Sequence, residues 1–329
     1  MENGVLKMAI FAKIIFLLIC LILGEYIIVE SSFKFLYQWS KPKQAVIKSA
    51  TNRELSVALI KRVYYNRVPK CGSSTLYQLM QMLSKVNGFT HFNSKIYNER
   101  MLNKHEQKRL VAEVMISPTP ASFDRHIFFI NFTEFNVNNP PSFINLIRDP
   151  TDRIISSFFY RREVAKRKIE NKSLTTKPSE FWMKKKFEEC VTKSDPECTF
   201  ISGSEQPTLL VPYFCGHHKR CTVLNDEWAL HTAKKNIRKA YTVVGVLEYF
   251  ELSLVVFEAK LNSFFKGVRT LYKQLGAFHA NSNPKKPRVS KAVKQILKNN
   301  LTAEYELYDF VLGKLFRDFA EYNKTFIEN

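Results

Sequence analysis

This sequence predicts an α/β fold: a mostly parallel sheet flanked by helices, preceded by a membrane anchor. Three observations carry that expectation. Short runs rich in β-branched and aromatic residues alternate with helical patterns along most of the chain, as in sheets covered on both faces. One such run, "RVYYNRV" (62–68), meets a turn of small residues and then a helix-like run. Ahead of all this lies "MAIFAKIIFLLICLILGEYIIV" (8–29), apolar except for Lys13 and Glu25.

The apolar run comes first in the chain. A spanning helix needs about 17–25 mostly apolar residues. Met8–Gly24 reaches that length if Lys13 snorkels to the headgroups. A cleaved signal peptide is the rival, because the uninterrupted stretch Ile14–Gly24 is short. No small-x-small cleavage site follows it, and a buried soluble helix rarely sits at an extreme terminus. Lys7 and Lys13 on one side are offset by Lys34, Lys41 and Lys43 on the other, so charge does not set the orientation. The four N-x-[ST] sequons, at Asn131, Asn171, Asn300 and Asn323, all follow the anchor. The expected order is therefore a cytoplasmic tail (1–7), a signal anchor (8–29), a luminal stem (30–58) and a luminal folded domain (59–329).

The chain of 329 residues carries 50 Lys+Arg against 30 Asp+Glu, a net charge of +20, so its expected partner is an anion. Nucleic acid is the usual guess for such a balance, but an anchored chain with a luminal domain does not meet it. Of six cysteines, Cys20 sits in the anchor and Cys71 in the small-residue turn. The others form two close pairs, Cys190/Cys198 and Cys215/Cys221, as expected for local disulfides in an oxidising lumen. Zinc is the competing reading, since "CGHHKRC" places His217 and His218 between two cysteines, but the gaps fit zinc-knuckle spacing poorly.

Within the folded domain, strands are expected at 62–68, 126–132, 142–147 and 241–247, each rich in β-branched or aromatic residues. Helices are expected at 73–86, 103–115, 150–168, 226–239, 249–265 and 288–320. Two strand ends carry chemistry. After the first comes Pro69-Lys70-Cys71-Gly72-Ser73-Ser74-Thr75, a turn whose amides and following helix N-terminus suit a phosphate. It is not a Walker loop, because the lysine precedes the single glycine. After "INLI" come Arg148, the capping Asp149, Pro150 and, two turns on, Ser156. Arg and Ser converging on one phosphate is sound chemistry; a capped helix with a surface ion pair is the plain alternative.

Together the two loops resemble sulfotransferases that use 3′-phosphoadenosine 5′-phosphosulfate (PAPS). That superfamily carries P-K-x-[GA]-[ST] after one strand, then R-[DNK]-P with a serine eight residues past the arginine. In order, "YNRVPKCGSST", "RHIFFINF", "INLIRDPTDR", "PYFCGHHKRC", "WALHTAKKNI", "VVGVLEYFE" and "FFKGV" resemble the Golgi uronyl 2-O-sulfotransferase family. The wording is nearer its uronyl/Pipe branch than its heparan branch.

The resemblance implies a Golgi enzyme, single-pass with its catalytic domain luminal, using PAPS and no metal. It implies that Lys70 offsets charge on the departing phosphate, within a cradle formed by Lys70–Thr75. Arg148 and Ser156 would hold the 3′-phosphate, and His126 would be the general base. Near-neutral titration of imidazole suits that task, although a lone histidine opening an apolar strand is ordinarily structural. Two residues upstream the heparan branch has a second histidine; here stands Asp124. Arg67 matches a substrate-binding arginine, and Tyr272 and Lys286, or Lys285 in its place, match a cofactor-covering loop. The basic run "YRREVAKRKIENK" (160–172) suits a glycosaminoglycan, or is only a solvated helical face. Homo-oligomers are a further implication. The alternative function is a catalytically inactive, membrane-anchored polyanion-binding protein. A nucleotide kinase lacks its Walker lysine and its Mg²⁺ carboxylates here.

Overall fold

Five parallel strands form the centre of the fold in a computed structural model, which describes residues 60–173, 176–276 and 287–327. They are β1 (Arg62–Asn66), β2 (Thr90–Asn93), β3 (Ala121–Arg125), β4 (Ser142–Ile147) and β5 (Tyr241–Val246). Their spatial order is β2-β3-β1-β4-β5, and each neighbouring pair runs parallel. β1 and β4 are almost wholly buried, which explains why both read as continuous rather than alternating apolar runs. The chain builds outward from β1 on one side and from β4 on the other. The β1/β4 junction is thus the topological switch point, beyond whose carboxyl ends such sheets bind ligands.

The helices are α1 (Ser73–Asn87), α2 (Lys104–Ile116), α3 (Pro150–Glu170), α4 (Glu180–Lys184), α5 (Phe187–Thr192) and α6 (Leu210–Cys215). They continue as α7 (Glu227–Ala240), α8 (Phe250–Lys260), α9 (Asn262–Phe265), α10 (Val268–Gln274), α11 (Lys291–Asn300) and α12 (Thr302–Ile327). α8 and α12 pack on β5, and α9 and α10 pack on α1. Caps set several starts. Asn103 accepts from the Glu106 N–H while the Glu106 carboxylate accepts from the Asn103 N–H, a reciprocal box that begins α2. Asp149 caps α3 through the Asp152 N–H, with Pro150 in the first turn.

One expected strand is absent. The run 126–132 is irregular, and β3 ends one residue before His126. Its amides serve loops instead: Phe128 N–H donates to Arg100 O and Phe129 N–H to Tyr213 O. Its apolar side chains fill the core, so their density reports burial and not a ladder. β3 itself, "ASFDR", hides two buried charged residues, and β2 is a short edge strand. The expected helices 249–265 and 288–320 each break at a buried leucine, Leu261 and Leu301.

A second, smaller core gathers Ile154, Phe158, Phe187, Leu209, Leu224 and Leu297 against α3. The Cys190–Cys198 disulfide lies within it, and Cys215–Cys221 ties α6 to the turn that follows. Both sulfur pairs are thereby spent, which removes the zinc reading. All four sequon asparagines are exposed. Among the described residues no helix is long and apolar enough to cross a membrane; the expected anchor and stem lie outside them.

Candidate active site

Strand register brings three loops to one end of the sheet. Asn66 pairs with Arg125 and Tyr65 with Ile144, so the segments leaving β3, β1 and β4 emerge side by side. Buried amides lock the strand ends together. Asn145 Nδ2 donates to Asn66 O at 2.7 Å, Asn66 Nδ2 to Tyr213 O at 2.8 Å, and the Tyr241 hydroxyl to Asn66 Oδ1 at 2.9 Å.

The loop after β1 turns sharply because Lys70 and Gly72 both adopt left-handed backbone, with φ of 67° and 73°. A Cβ at Gly72 would lie 2.6 Å from Leu247 Cδ1, so glycine is required for space as well as for φ. Gly72 O accepts from the Thr75 and Leu76 N–H groups, which opens α1. Gly72 offers no capping side chain and the first turn holds no acidic residue, so the positive pole of the helix is not offset by a carboxylate of its own. Ser73 and Thr75 are buried and Ser74 half-buried. The Cys71 thiol is fully buried, and burial pushes it up to about 12, so this residue can offer a ligand only its backbone.

Lys70 Nζ lies 3.6 Å from the ring centroid of Tyr160, on α3. Tyr160 follows Ser156 by one turn on the same helix face, and Ser156 is half-buried. Helix α3 thus links the lysine loop to the loop that bears Arg148. Arg148 Nε stands 3.9 Å from Glu248 Oε1. That carboxylate also accepts from the Asp149 N–H and the Tyr308 hydroxyl, and burial raises it above the ordinary carboxylate range. The guanidinium is thus only loosely engaged with that carboxylate.

His126 follows β3 directly, and its Nδ1 lies 2.9 Å from Arg67 O. A carbonyl can only accept, so Nδ1 carries the proton and Nε2 keeps its lone pair. This is the tautomer a general base needs. Burial, then the Arg67 guanidinium, hold the imidazole at about 4 instead of near neutrality. Nε2 is therefore unprotonated near neutral pH.

Other expected residues lie elsewhere or play another part. The Arg67 guanidinium is turned into the protein. It is buried and bonded to Asp124 Oδ1 at 2.7 Å, with Tyr77 beneath it. Tyr272 lies on α10, buried and edge-on to Phe250. Lys286 lies outside the described residues. Much of the run 160–172 is committed internally: Arg161 and Arg162 pair with Glu197, and Arg167 pairs with Glu163. Tyr160 and Glu248 escaped sequence reasoning, since neither sits in a spacing pattern that marks an anion site. A cavity of about 1390 Å³ opens near Lys61, Pro140 and Lys239. That is the amino end of the strands, opposite the loops described here.

A model of the sulfotransferase family matches residues 53–311. The human protein named uronyl 2-sulfotransferase is 38% identical over 259 residues, covering 76% of this chain and 61% of that protein. The Drosophila melanogaster uronyl 2-sulfotransferase homolog pip is 36% identical over 278 residues, covering 78% and 53%. Heparan sulfate 2-O-sulfotransferase 1 of Xenopus laevis is 31% identical over 263 residues, covering 76% and 69%. The chain thus spans 61% and 53% of the two uronyl relatives' lengths.

Proposed function

The chain belongs to the sulfotransferase family, and on that premise we propose that it transfers a sulfuryl group from PAPS to the 2-hydroxyl of a uronic acid residue. The acceptor would be a glycosaminoglycan or a related acidic glycan, a class supported by the names of the relatives. The +20 charge supports an acidic partner.

The residues present suit the donor. The uncapped start of α1 and the required glycine form a cradle for a phosphosulfate, to be held by Lys70 and the amides of Gly72, Ser73 and Ser74. Arg148 and Ser156 would hold the 3′-phosphate. The donor supplies an activated sulfuryl group on a phosphate leaving group. His126 Nε2 removes the hydroxyl proton as the sugar oxygen bonds to sulfur. The bond from sulfur to the nucleotide oxygen breaks, its electron pair leaves on phosphate, and Lys70 offsets that charge. Positioning and electrostatics supply most of such a transfer.

The observation that supports the reading is the Nδ1 hydrogen bond of His126 to Arg67 O, in the loop after β1, which leaves the lone pair on Nε2. An inactive polyanion-binding protein would have no need of that tautomer. We place the enzyme in the Golgi membrane, type II, anchored by residues 8–29. Incubating the whole chain with labelled PAPS and heparan, dermatan and chondroitin acceptors tests the proposal. Label on the uronic acid 2-position supports it, and no transfer to any acidic glycan refutes it.

A further inference from the structure

Behind His126 lies a buried polar chain that the proposed chemistry does not use. Ser122 Oγ is 2.7 Å from His91 Nδ1, His91 Nε2 lies 3.2 Å from Asp124 Oδ2 without the alignment of a hydrogen bond, and Asp124 Oδ1 accepts from Arg67 Nη1 at 2.7 Å. Arg67 O then meets His126 Nδ1 at 2.9 Å. The order Ser–His–Asp matches a hydrolytic triad, but Ser122 is 0% exposed, so no substrate reaches it. The chain points instead toward the base.

We infer that Asp124 is a positioning residue: it holds the Arg67 side chain inside the protein and thereby fixes the carbonyl that orients His126. Arg67 is gripped on three sides. Its N–H donates to Arg125 O at 2.8 Å, its guanidinium is bonded to Asp124, and that guanidinium lies 5.1 Å from the Tyr77 ring centroid. With the residue held at both ends, its carbonyl has little freedom. A buried arginine that loses both the charge and the accepting oxygen at position 124 must leave for water, because a buried charge with neither a counter-charge nor a hydrogen-bond acceptor is costly. Its departure would release the carbonyl and hydrate the imidazole. Asp124 therefore commits the Arg67 guanidinium to the interior and its carbonyl to the base.

The groups facing His126 are Arg67 from the loop after β1, Asp124 from β3, and Arg100 and Tyr97 from the segment before α2. By charge alone, loss of Asp124 lowers the His126 titration, since Asp124 favours the imidazolium. Loss of positioning raises it toward the ordinary value. The two effects have opposite signs, so one titration separates them.

The inference rests on His126 as base of the proposed reaction, but its test does not need the reaction to occur. His126 in the whole chain is followed by NMR with labelled histidine, assigned through His126→Gln, alongside melting temperature and the pH profile of kcat/KM. In Asp124→Ala the titration should rise by about one pH unit or more, with kcat down about 10²-fold. In Asp124→Asn, whose amide oxygen still accepts from Arg67, the titration should stay at or below wild type, and kcat within about tenfold. If Asp124→Ala fails to melt cooperatively, Asp124→Ser carries the same comparison. An unmoved titration with only a lower melting temperature overturns the inference, as does Asp124→Asn behaving like Asp124→Ala. Absence of sulfate transfer by the wild type would refute the proposed function while leaving the titration to judge the network.

Discussion

Lys70 Nζ sits 3.6 Å from the centroid of the Tyr160 ring, so the loop that would hold the leaving phosphate is docked on the helix that carries Ser156. Replacing Lys70 with Ala should cost mainly turnover, because its charge matters most as the phosphate departs. Affinity for 3′,5′-bisphosphoadenosine, measured by calorimetry, should fall less than kcat. Tyr160→Phe keeps the ring and should be near neutral; equal losses of kcat and nucleotide affinity in Lys70→Ala would contradict the assignment.

Arg148→Ala should behave in the opposite way. The 3′-phosphate is remote from the reacting sulfur, so this variant should lose nucleotide affinity by about 1.5–3 kcal/mol, the worth of a charged hydrogen bond. Near-saturating donor should restore much of kcat. Unchanged affinity would remove Arg148 from the site.

Gly72→Ala meets two obstacles, a left-handed φ of 73° and Leu247 Cδ1 at 2.6 Å. The backbone penalty alone is about 1–2 kcal/mol. The loop should deform, so thermal stability and nucleotide affinity should fall together. A variant with wild-type affinity would show that the turn does not shape the cradle.

The turn after β1 and the capped start of α3 were legible in the sequence because they use local signals: a glycine, a proline, a capping aspartate. The strand at Ala121–Arg125 was not, since Asp124 and Arg125 look like surface residues until the Arg67 and Glu99 partners are seen. "HIFFINF" misled for the converse reason, its aromatics being buried without a ladder. Arg67 could be placed near the lysine by spacing, but spacing does not say which way a side chain turns. Burial and a partner 57 positions away decide that.

Acid should destabilise the fold through His126 and His217, both held at about 4 chiefly by burial. Above an ordinary histidine value of about 6.5 neither contributes to pH dependence. Between that value and 4 the unfolded chain binds protons that the native state refuses, so stability falls as pH falls. Each group adds a slope of about 1.4 kcal/mol per pH unit at most. His217, which accepts from the Leu102 N–H at 2.9 Å, lies outside the proposed chemistry. Denaturant titrations of His217→Gln should show about half the wild-type slope; an unchanged slope would assign the acid sensitivity to other groups.

The most direct test of the central claim is the pH dependence of turnover in wild type and in His126→Ala, with nucleotide affinity and melting measured on the same preparations. Because kcat/KM reports the free enzyme, its acid limb should lie near pH 4, where His126 takes its proton. The limb in kcat should lie higher, since bound anions favour the imidazolium. In His126→Ala both limbs should vanish and kcat should drop about 10²–10⁴-fold, while nucleotide affinity stays at wild type. A variant that melts normally, binds nucleotide normally and still transfers sulfate at the wild-type rate would contradict His126 as the base.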